Sequence, residues 1–427
     1  MRFVLLAAAC SVVLAGCAPV TSSGPAAPSG DEQTGQLRVW LFDEVNRGPK
    51  EEVVKQAVSE FQAAHSGVTV DVQYIQVSTR AERFKAAFSD PKSAPDVAEF
   101  GNTDLAGYVA SGGFADISKE VSDWSDSKDF LPAVLDTAKV EGKTYGLPWY
   151  VGVRALYYRT DVFTELGIQP PKTLDEIAPL ARRIRAAKPD LLGISAGGKY
   201  TFGMLPFVWA NGGDIAAVDG AKYTAKIDSA ESKKGVAKYT ELIADDICPA
   251  AQCAANGGDA SVEAFRAGKA AMVIGGDFNR KSVDASSAAG KYAVVPLPGN
   301  TEGSIAPAFA GGNLLGVMKG TERKTLANQF LQLLGGKQYQ QKMFQAMGNL
   351  PTFADVQADV AKNDAFEQPF IKTLEAGTKF VPVTPAWAKV DAQAVLPTML
   401  QQIAAEGQDV DTATKTAAES MNAAFSS

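Results

Sequence analysis

Leu37-Arg-Val-Trp-Leu-Phe42, Val68-Thr-Val-Asp-Val-Gln-Tyr-Ile75 and Ala94-Pro-Asp-Val-Ala-Glu-Phe100 decide the fold of this 427-residue chain. The first run is short, apolar and rich in β-formers, the pattern of a buried strand. The second alternates and predicts another strand, and the third predicts one more. Between them, Val53, Val54, Ala57, Val58 and Phe61 recur at helical spacing within Pro49 to Ala64, and a second helix is expected from about Arg80 to Ser89. A short helix, Asp104 to Ala110, follows. Strand, helix, strand, helix, strand requires parallel pairing with crossovers, which defines an α/β domain. Open α/β sheets hold ligands just past the C-terminal ends of their strands. Asp43 and Glu44 after the first strand, and Asn102 with its neighbours after the third, therefore mark a candidate site.

Further along, Lys143 to Val151 reads as a strand leaving this domain, and Ala155 to Arg159 as another. Thr173 to Ala187 is a long helix whose Thr173 and Glu176 have capping-box spacing. Helices are expected at Ser229–Ala244 and Ser261–Arg266, and a buried strand at Ala270–Ile274, ending in Gly275-Gly276-Asp277-Phe278. Strands at Lys291–Pro298 and Asn313–Met318 precede a mostly helical C-terminal region. From about Gln36 onward the body is larger than one hydrophobic core usually supports, so two domains are expected.

The first seventeen residues have a different character. Arg2 precedes an apolar run, Phe3 to Leu14, too short to span a bilayer. Small residues then lead to Cys17, the layout of a secretory signal with its cleavage site. Residues 18–36, with Pro19, Pro25, Pro28 and several serines and glycines, read as a flexible tether. The remainder, 46% hydrophobic and 21% charged overall, has the composition of a soluble globular protein. A net charge of −7 argues against nucleic acid, which selects clustered Lys and Arg. The Arg182-Arg183-Arg185 cluster reads as the solvated face of one helix.

Outside the leader, where Cys10 and Cys17 fall, only Cys248 and Cys253 remain, within Ile247-Cys-Pro-Ala-Ala-Gln-Cys253. A local disulfide is expected in an oxidising compartment, with a metal site as its rival. The single histidine, His65, lies far away and reads as a surface turn residue, so the usual Cys/His metal set is not available. No Gly-x-Ser-x-Gly elbow or Walker loop is present, and Gly275-Gly276 and Gly311-Gly312 lack phosphate-loop spacing. Neither a cofactor nor a metal is expected, nor triad, Cys-His or zinc catalysis.

In order and spacing, a series of segments resembles the family 1 extracellular solute-binding proteins, the sugar-binding subunits of bacterial ABC importers, similar to maltose-binding protein. They include Phe61-Gln-Ala-Ala-His-Ser-Gly-Val-Thr-Val70, Gly107-Tyr-Val-Ala-Ser-Gly-Gly113, Gly142-Lys-Thr-Tyr-Gly-Leu-Pro148 and Ala155-Leu-Tyr-Tyr-Arg-Thr-Asp161. Asn211-Gly-Gly-Asp214, Phe265-Arg-Ala-Gly-Lys-Ala-Ala-Met-Val-Ile274 and Gly348-Asn-Leu-Pro-Thr352 continue the series. Leu14-Ala-Gly-Cys17 likewise resembles a bacterial lipobox, which implies diacylation of Cys17 and a lipid anchor on the outer face of the cell membrane. The resemblance implies two α/β lobes, 37–150 plus 295–335 and 151–294 plus 336–427, closing on a ligand by a hinge. Crossings are expected near Trp149–Gly152, Gly290–Val294 and Leu334–Asn349. The implied partners are a small carbohydrate and the importer permease, with the receptor acting as a monomer.

A sugar offers apolar faces ringed by hydroxyls, which suit aromatic planes and polar side chains. The resemblance places Trp387 where relatives stack a tryptophan on the ligand, with Asp391 one helical turn later on the same face. Phe278 matches another cleft aromatic. Asp277 is either a hydroxyl acceptor or a helix N-cap. Trp149 and Tyr150 are expected to line the cleft, and Arg154 to point into it unless it pairs with an acid. Trp209 has helical spacing that suits cleft or core equally. Asp43, Glu44, Asn102 and Thr103 correspond to positions of polar contacts. Gly152 replaces a cleft glutamate of maltose-binding protein, and Phe100 and Thr103 replace a Trp and an Asp. The Gly101-Asn-Thr103 and Trp149–Arg154 segments are more similar to actinobacterial binders of chitobiose, other disaccharides or glucosides. Two alternatives remain: a binder of glycerophosphodiesters or another non-sugar solute within the same fold, kept open by Arg154 and Arg280, and a glycosidase using a carboxylate pair from Asp43, Glu44, Asp277 and Asp391.

Overall fold

The computed structural model describes residues 30–44, 47–220 and 222–426. The expected signal, Cys17 as the expected lipidation site and most of the expected tether lie outside the described residues. Strands β1 (Gly35–Asp43), β2 (Val68–Gln76) and β3 (Val97–Gly101) pair in parallel, Leu37 opposite Val70 and Val39 opposite Val97. Helices Gly48–Ala64 and Arg80–Ser89 make the crossovers. Besides two small hairpins, Lys139–Val140 with Lys143–Thr144 and Ala216–Asp219 with Lys222–Ala225, the downstream strands are β4 (Leu147–Gly152), β5 (Arg154–Arg159), β6 (Met272–Gly276), β7 (Tyr292–Val295), β8 (Ala308–Phe309), β9 (Gly311–Val317) and β10 (Thr378–Lys379).

The first sheet has the order β2-β1-β3-β9-β4, with β9 antiparallel to both neighbours. Leu37, Val39 and Leu41 face the helices Gly48–Ala64, Lys324–Leu334 and Lys337–Met347. Trp40 and Phe42 face an aromatic layer of Phe84, Phe100 and Phe114, in which Phe100 stacks on Phe114 at 4.2 Å. Cover on both faces is why β1 is apolar almost throughout rather than alternating. Chain before Gln36 is already engaged with this lobe: the Glu32 amide donates to Glu322 (2.7 Å), and Asp31 accepts from the Thr325 amide (3.0 Å).

The second sheet is antiparallel, β6-β5-β7, with Ile274 opposite Leu156 and Val294 opposite Tyr157. Its core draws Phe207, Tyr239, Phe265, Met399 and Met421 from surrounding helices. Ser229 and Asp409 cap two of these helices by accepting backbone N–H bonds from Ser232 and Thr412. Thr173 does not cap: Glu176 instead accepts from the Lys172 amide at 2.7 Å, and the α-helix starts at Ile177. Cys248 and Cys253 form a disulfide within this lobe, Cα atoms 6.0 Å apart.

The chain passes between the lobes three times. The first passage, β4 into β5 through Gly152 and Val153, falls where the sequence predicts it. The second falls at Phe309–Gly311, not at Gly290–Val294. Because β7 is hydrogen-bonded to β5, and Leu297, Ala306 and Phe309 fill the second core, residues 295–310 stay with the second lobe. The third comes after Phe353, later than the expected Leu334–Asn349. Helix Lys337–Met347 buries Tyr339 and Met343 in the first core beside Phe353, whereas Val360 enters the second. The lobes are thus about 31–152 plus 311–353, and 153–310 plus 354–426.

Candidate functional site

Two adjoining cavities, of about 270 and about 300 Å³, share Arg154 as a common wall. The smaller lies between the lobes. Glu44 after β1, Tyr150 on β4 and Asn313 on β9 form its first-lobe side, and Asp277, Phe278 and Phe309 face them from the second. The larger is built mainly on the second lobe, from Tyr200, Thr201, Phe202, Asp259, Trp387 and Asp391. Its rim touches the first lobe: a Cβ added to Gly107 would stand 3.6 Å from the Ala388 Cβ.

The first-lobe wall is a buried charge network. Lys50 is 1% exposed and Glu99 wholly buried. Lys50 Nζ donates to Glu99 Oε2 (2.8 Å), Glu44 Oε1 (3.0 Å) and the Phe42 carbonyl (3.2 Å), and sits 5.0 Å from the Trp149 ring centre. Burial alone would lower the Lys50 pKa, but Glu99 and Glu44 outweigh it and hold it above its ordinary value. Burial, then the two neighbouring carboxylates, raises the Tyr150 phenol well above its usual range, so it stays a donor. Its one proton serves Glu44 Oε1 at 2.9 Å or Glu99 Oε1 at 3.0 Å, while Asn313 Nδ2 donates to the phenol oxygen. Glu44 is thereby fixed in place, with no donor to its second oxygen among the described residues.

On the other wall, β6 ends in Gly275-Gly276 and the chain turns through Asp277 and Phe278. Asp277 Oδ1 accepts the Val153 amide at 2.9 Å, and Oδ2 accepts the Leu350 amide at 3.4 Å. One carboxyl thus ties together the first passage and the segment leading into the third. Burial raises its pKa to about 7 against the pull of those N–H donors. Phe278 is 42% exposed, its ring against the backbone of Gly152 and Gly276. A Cβ at Gly276 would lie 2.2 Å from that ring and force it to move, whereas one at Gly152 would stand 3.2 Å away, a tight contact that the half-exposed ring would relieve by shifting a few tenths of an ångström. Arg154 Nε donates to the Tyr200 hydroxyl at 2.8 Å, and its guanidinium carbon lies 5.1 to 5.7 Å from the ring centres of Phe202, Tyr200 and Phe278.

Of the residues expected from sequence, Glu44, Tyr150, Arg154, Asp277, Phe278, Trp387 and Asp391 line these cavities. Others do not. Trp149 is wholly buried in the first core, because side chains alternate along β4 and its neighbour Tyr150 takes the cleft side. Trp209 is buried in the second core and donates Nε1 to Asp214 (3.1 Å). Asp43 is held by Gln76 (2.6 Å) and Arg47 (3.4 Å). Asn102 donates to the Ala310 carbonyl (3.0 Å), bracing the second passage, and Thr103 in the same turn lines neither cavity. Sequence reasoning did not single out Tyr200, Phe202, Phe309, Asn313 or Asn349. Lys199-Tyr-Thr-Phe202 at the start of helix Thr201–Ala210 offered aromatics at a helix entry, but the helix is so uniformly apolar that no face stood out.

Two α/β lobes, three connecting passages and an aromatic-and-polar cleft between them define the two-lobe binding-protein class. The chain belongs to the bacterial extracellular solute-binding proteins, whose family profile matches residues 56–368. The diacetylchitobiose binding protein DasA of Streptomyces coelicolor is 28% identical over 318 residues, 73% of this chain and 72% of that one. The galactooligosaccharide-binding protein of Bacillus subtilis is 25% identical over 372 residues, covering 84% and 81%. Among solved structures, an ABC-transporter solute-binding protein of Thermotoga lettingae with bound α-D-tagatose superposes with a TM-score of 0.78 at 23% identity, over 92% of this chain and all of that one. The sugar-binding protein MalE of Xanthomonas citri gives 0.79 at 24%, over 92% and 98%.

Proposed function

We propose that this protein is the lipid-anchored, extracytoplasmic receptor of an ABC importer, capturing a mono- or oligosaccharide between its lobes and passing it to the permease. The observation that carries the reading is the cleft itself. Exposed Phe278 and the wall residue Trp387 offer ring surfaces, while Glu44, Asn313, Asn349 and Arg154 offer hydrogen bonds at the lobe junction. Relatives named for diacetylchitobiose and galactooligosaccharides support a chitobiose-, disaccharide- or glucoside-like ligand. Trp387 and Phe278 stack on apolar sugar faces, and Glu44, already oriented by Lys50 and Tyr150, accepts from a hydroxyl. Lobe closure removes water from these contacts, and the closed surface is what the permease reads. No bond in the ligand is broken.

Calorimetric titration with a sugar panel tests the binding, with a micromolar or tighter dissociation constant for at least one member as the expected result. Heat without any saturable binding, or release of hydrolysed sugar, refutes it. The anchor is tested separately: Cys17→Ala is expected to move the protein from the membrane fraction to the medium with sugar affinity unchanged, and retention at the membrane refutes the anchor.

A further inference from the structure

Most buried or half-buried cations near the cleft have an anionic partner. Lys50 is matched with Glu99 and Glu44, Arg80 with Asp104, and Arg280 with Asp364 and Glu367. Lys199, on the wall of the larger cavity, is exposed to water. Arg154 differs from all of these. Its Nε is committed to Tyr200, and among the described residues no acceptor meets its two terminal nitrogens. The group is half-buried within the rings of Tyr200, Phe202 and Phe278, at the junction of both cavities. A guanidinium only donates, and donors left unmatched once water is expelled cost free energy, so a bound ligand must bring an acceptor to this point.

Charge decides which acceptor. Glu44 and Glu99 share the single Lys50, and Asp259, Asp277 and Asp391 also line the two cavities. Acidic side chains outnumber basic ones around Arg154, which disfavours a carboxylate or phosphate on the ligand. A neutral carbonyl oxygen meets the requirement. It accepts from both terminal nitrogens at once, whereas a hydroxyl is a weaker acceptor and carries a proton that must turn away. The rings that flank Arg154 also offer an apolar berth for a methyl group beside that carbonyl.

We propose that Arg154 is the specificity-determining residue of the cleft, and that it reads the acetamido carbonyl of an N-acetylated sugar. This rests on the carbohydrate reading given above. Cellobiose and N,N′-diacetylchitobiose share a β-1,4-linked backbone and differ by acetamido groups in place of hydroxyls, so they form the matched pair for the test. Full-length protein in detergent is titrated with each, and with cellobiouronate as the anionic arm. The wild type is expected to bind the diacetylated sugar at least tenfold more tightly than either of the others, and in Arg154→Met that preference is expected to shrink below threefold. Equal or tighter binding of cellobiose or cellobiouronate by the wild type overturns the proposal without any variant, so misfolding of the variant does not shield it. An undiminished preference in a folded Arg154→Met overturns it too. If cellobiose binds without preference, only the role of Arg154 falls; if no sugar binds, the carbohydrate reading falls as well.

Discussion

Asp277, on the cleft wall, and Glu367 are buried acids that feel each other's charge, 1% and 0% exposed, and their titration should govern how stability changes with pH. Burial raises Asp277 from 3.8 to about 7. Glu367 rises from 4.5 to about 8, first through burial and then through the Asp277 charge, with Arg280 pulling the other way. Tyr157, Tyr292, Asp364 and Arg154 complete the surrounding titratable groups. A carboxyl with a raised pKa keeps its proton in the folded protein at a pH where the unfolded chain has already released it. The native state then binds more protons than the unfolded state, so stability falls as pH climbs from about 4 through the folded values near 7 and 8.

A single proton held about two units above pH 5, at about 1.4 kcal/mol per unit, is worth on the order of 3 kcal/mol between pH 5 and 9. Asp277→Asn makes the site permanently neutral while keeping an oxygen for the Val153 amide. Urea unfolding of both proteins at pH 5, 7 and 9 isolates this contribution: titrations uncoupled from Asp277 cancel in the difference, and Glu367, relieved of the Asp277 charge, changes it in the same direction. The variant is expected to gain on the wild type by on the order of 3 kcal/mol from pH 5 to pH 9. A difference that is flat with pH, within about 0.5 kcal/mol, refutes the raised proton affinity assigned to Asp277.

Lys50→Met strands Glu99 in the first core without a counter-charge and should cost about 3–5 kcal/mol in chemical denaturation, most of it recovered by adding Glu99→Gln. Replacing Cys248 and Cys253 with alanine opens only a short loop, so the loss is expected near 2 kcal/mol by thermal unfolding, with sugar affinity unchanged. Trp387→Ala removes a ring from the larger cavity and should weaken sugar binding about tenfold or more in calorimetry, whereas Trp209→Phe, confined to the second core, should leave affinity intact.

The first lobe's frame was legible because its signals are local: β1 is apolar on both faces, β2 alternates, and the intervening helix repeats every three or four residues. The first passage was legible for the same reason, two strand patterns meeting at Gly152. The second and third passages were not, because lobe membership there is decided by distant partners. Residues 292–295 read as a strand in any lobe; only pairing with β5 assigns them to the second. Helix Lys337–Met347 shows one buried face in its sequence but not the surface that receives it. Trp149 and Tyr150 are adjacent aromatics, and only the register of β4 against β9 decides which one faces the cleft.

The residues that sequence patterns handled worst share a physical character. Lys50 sits in a helix where a lysine reads as solvated, Glu99 interrupts an apolar strand, and Asp277 and Glu367 are acids with no cation beside them in sequence. Each violates the rule that ionisable groups stay outside, and Lys50, Glu99 and Asp277 are spent on positioning the cleft or its passages. Lys50 and Glu99 orient Glu44 and Tyr150, and Asp277 fastens Val153 and Leu350. Buried charge is costly, so its concentration on both walls of one cleft points to geometry held for a ligand rather than to stability. A protein under selection for stability alone would replace these groups with apolar ones of similar volume. That substitution in the Lys50–Glu99 pair should therefore yield a folded chain that no longer presents Glu44 correctly, losing sugar affinity while keeping its melting temperature.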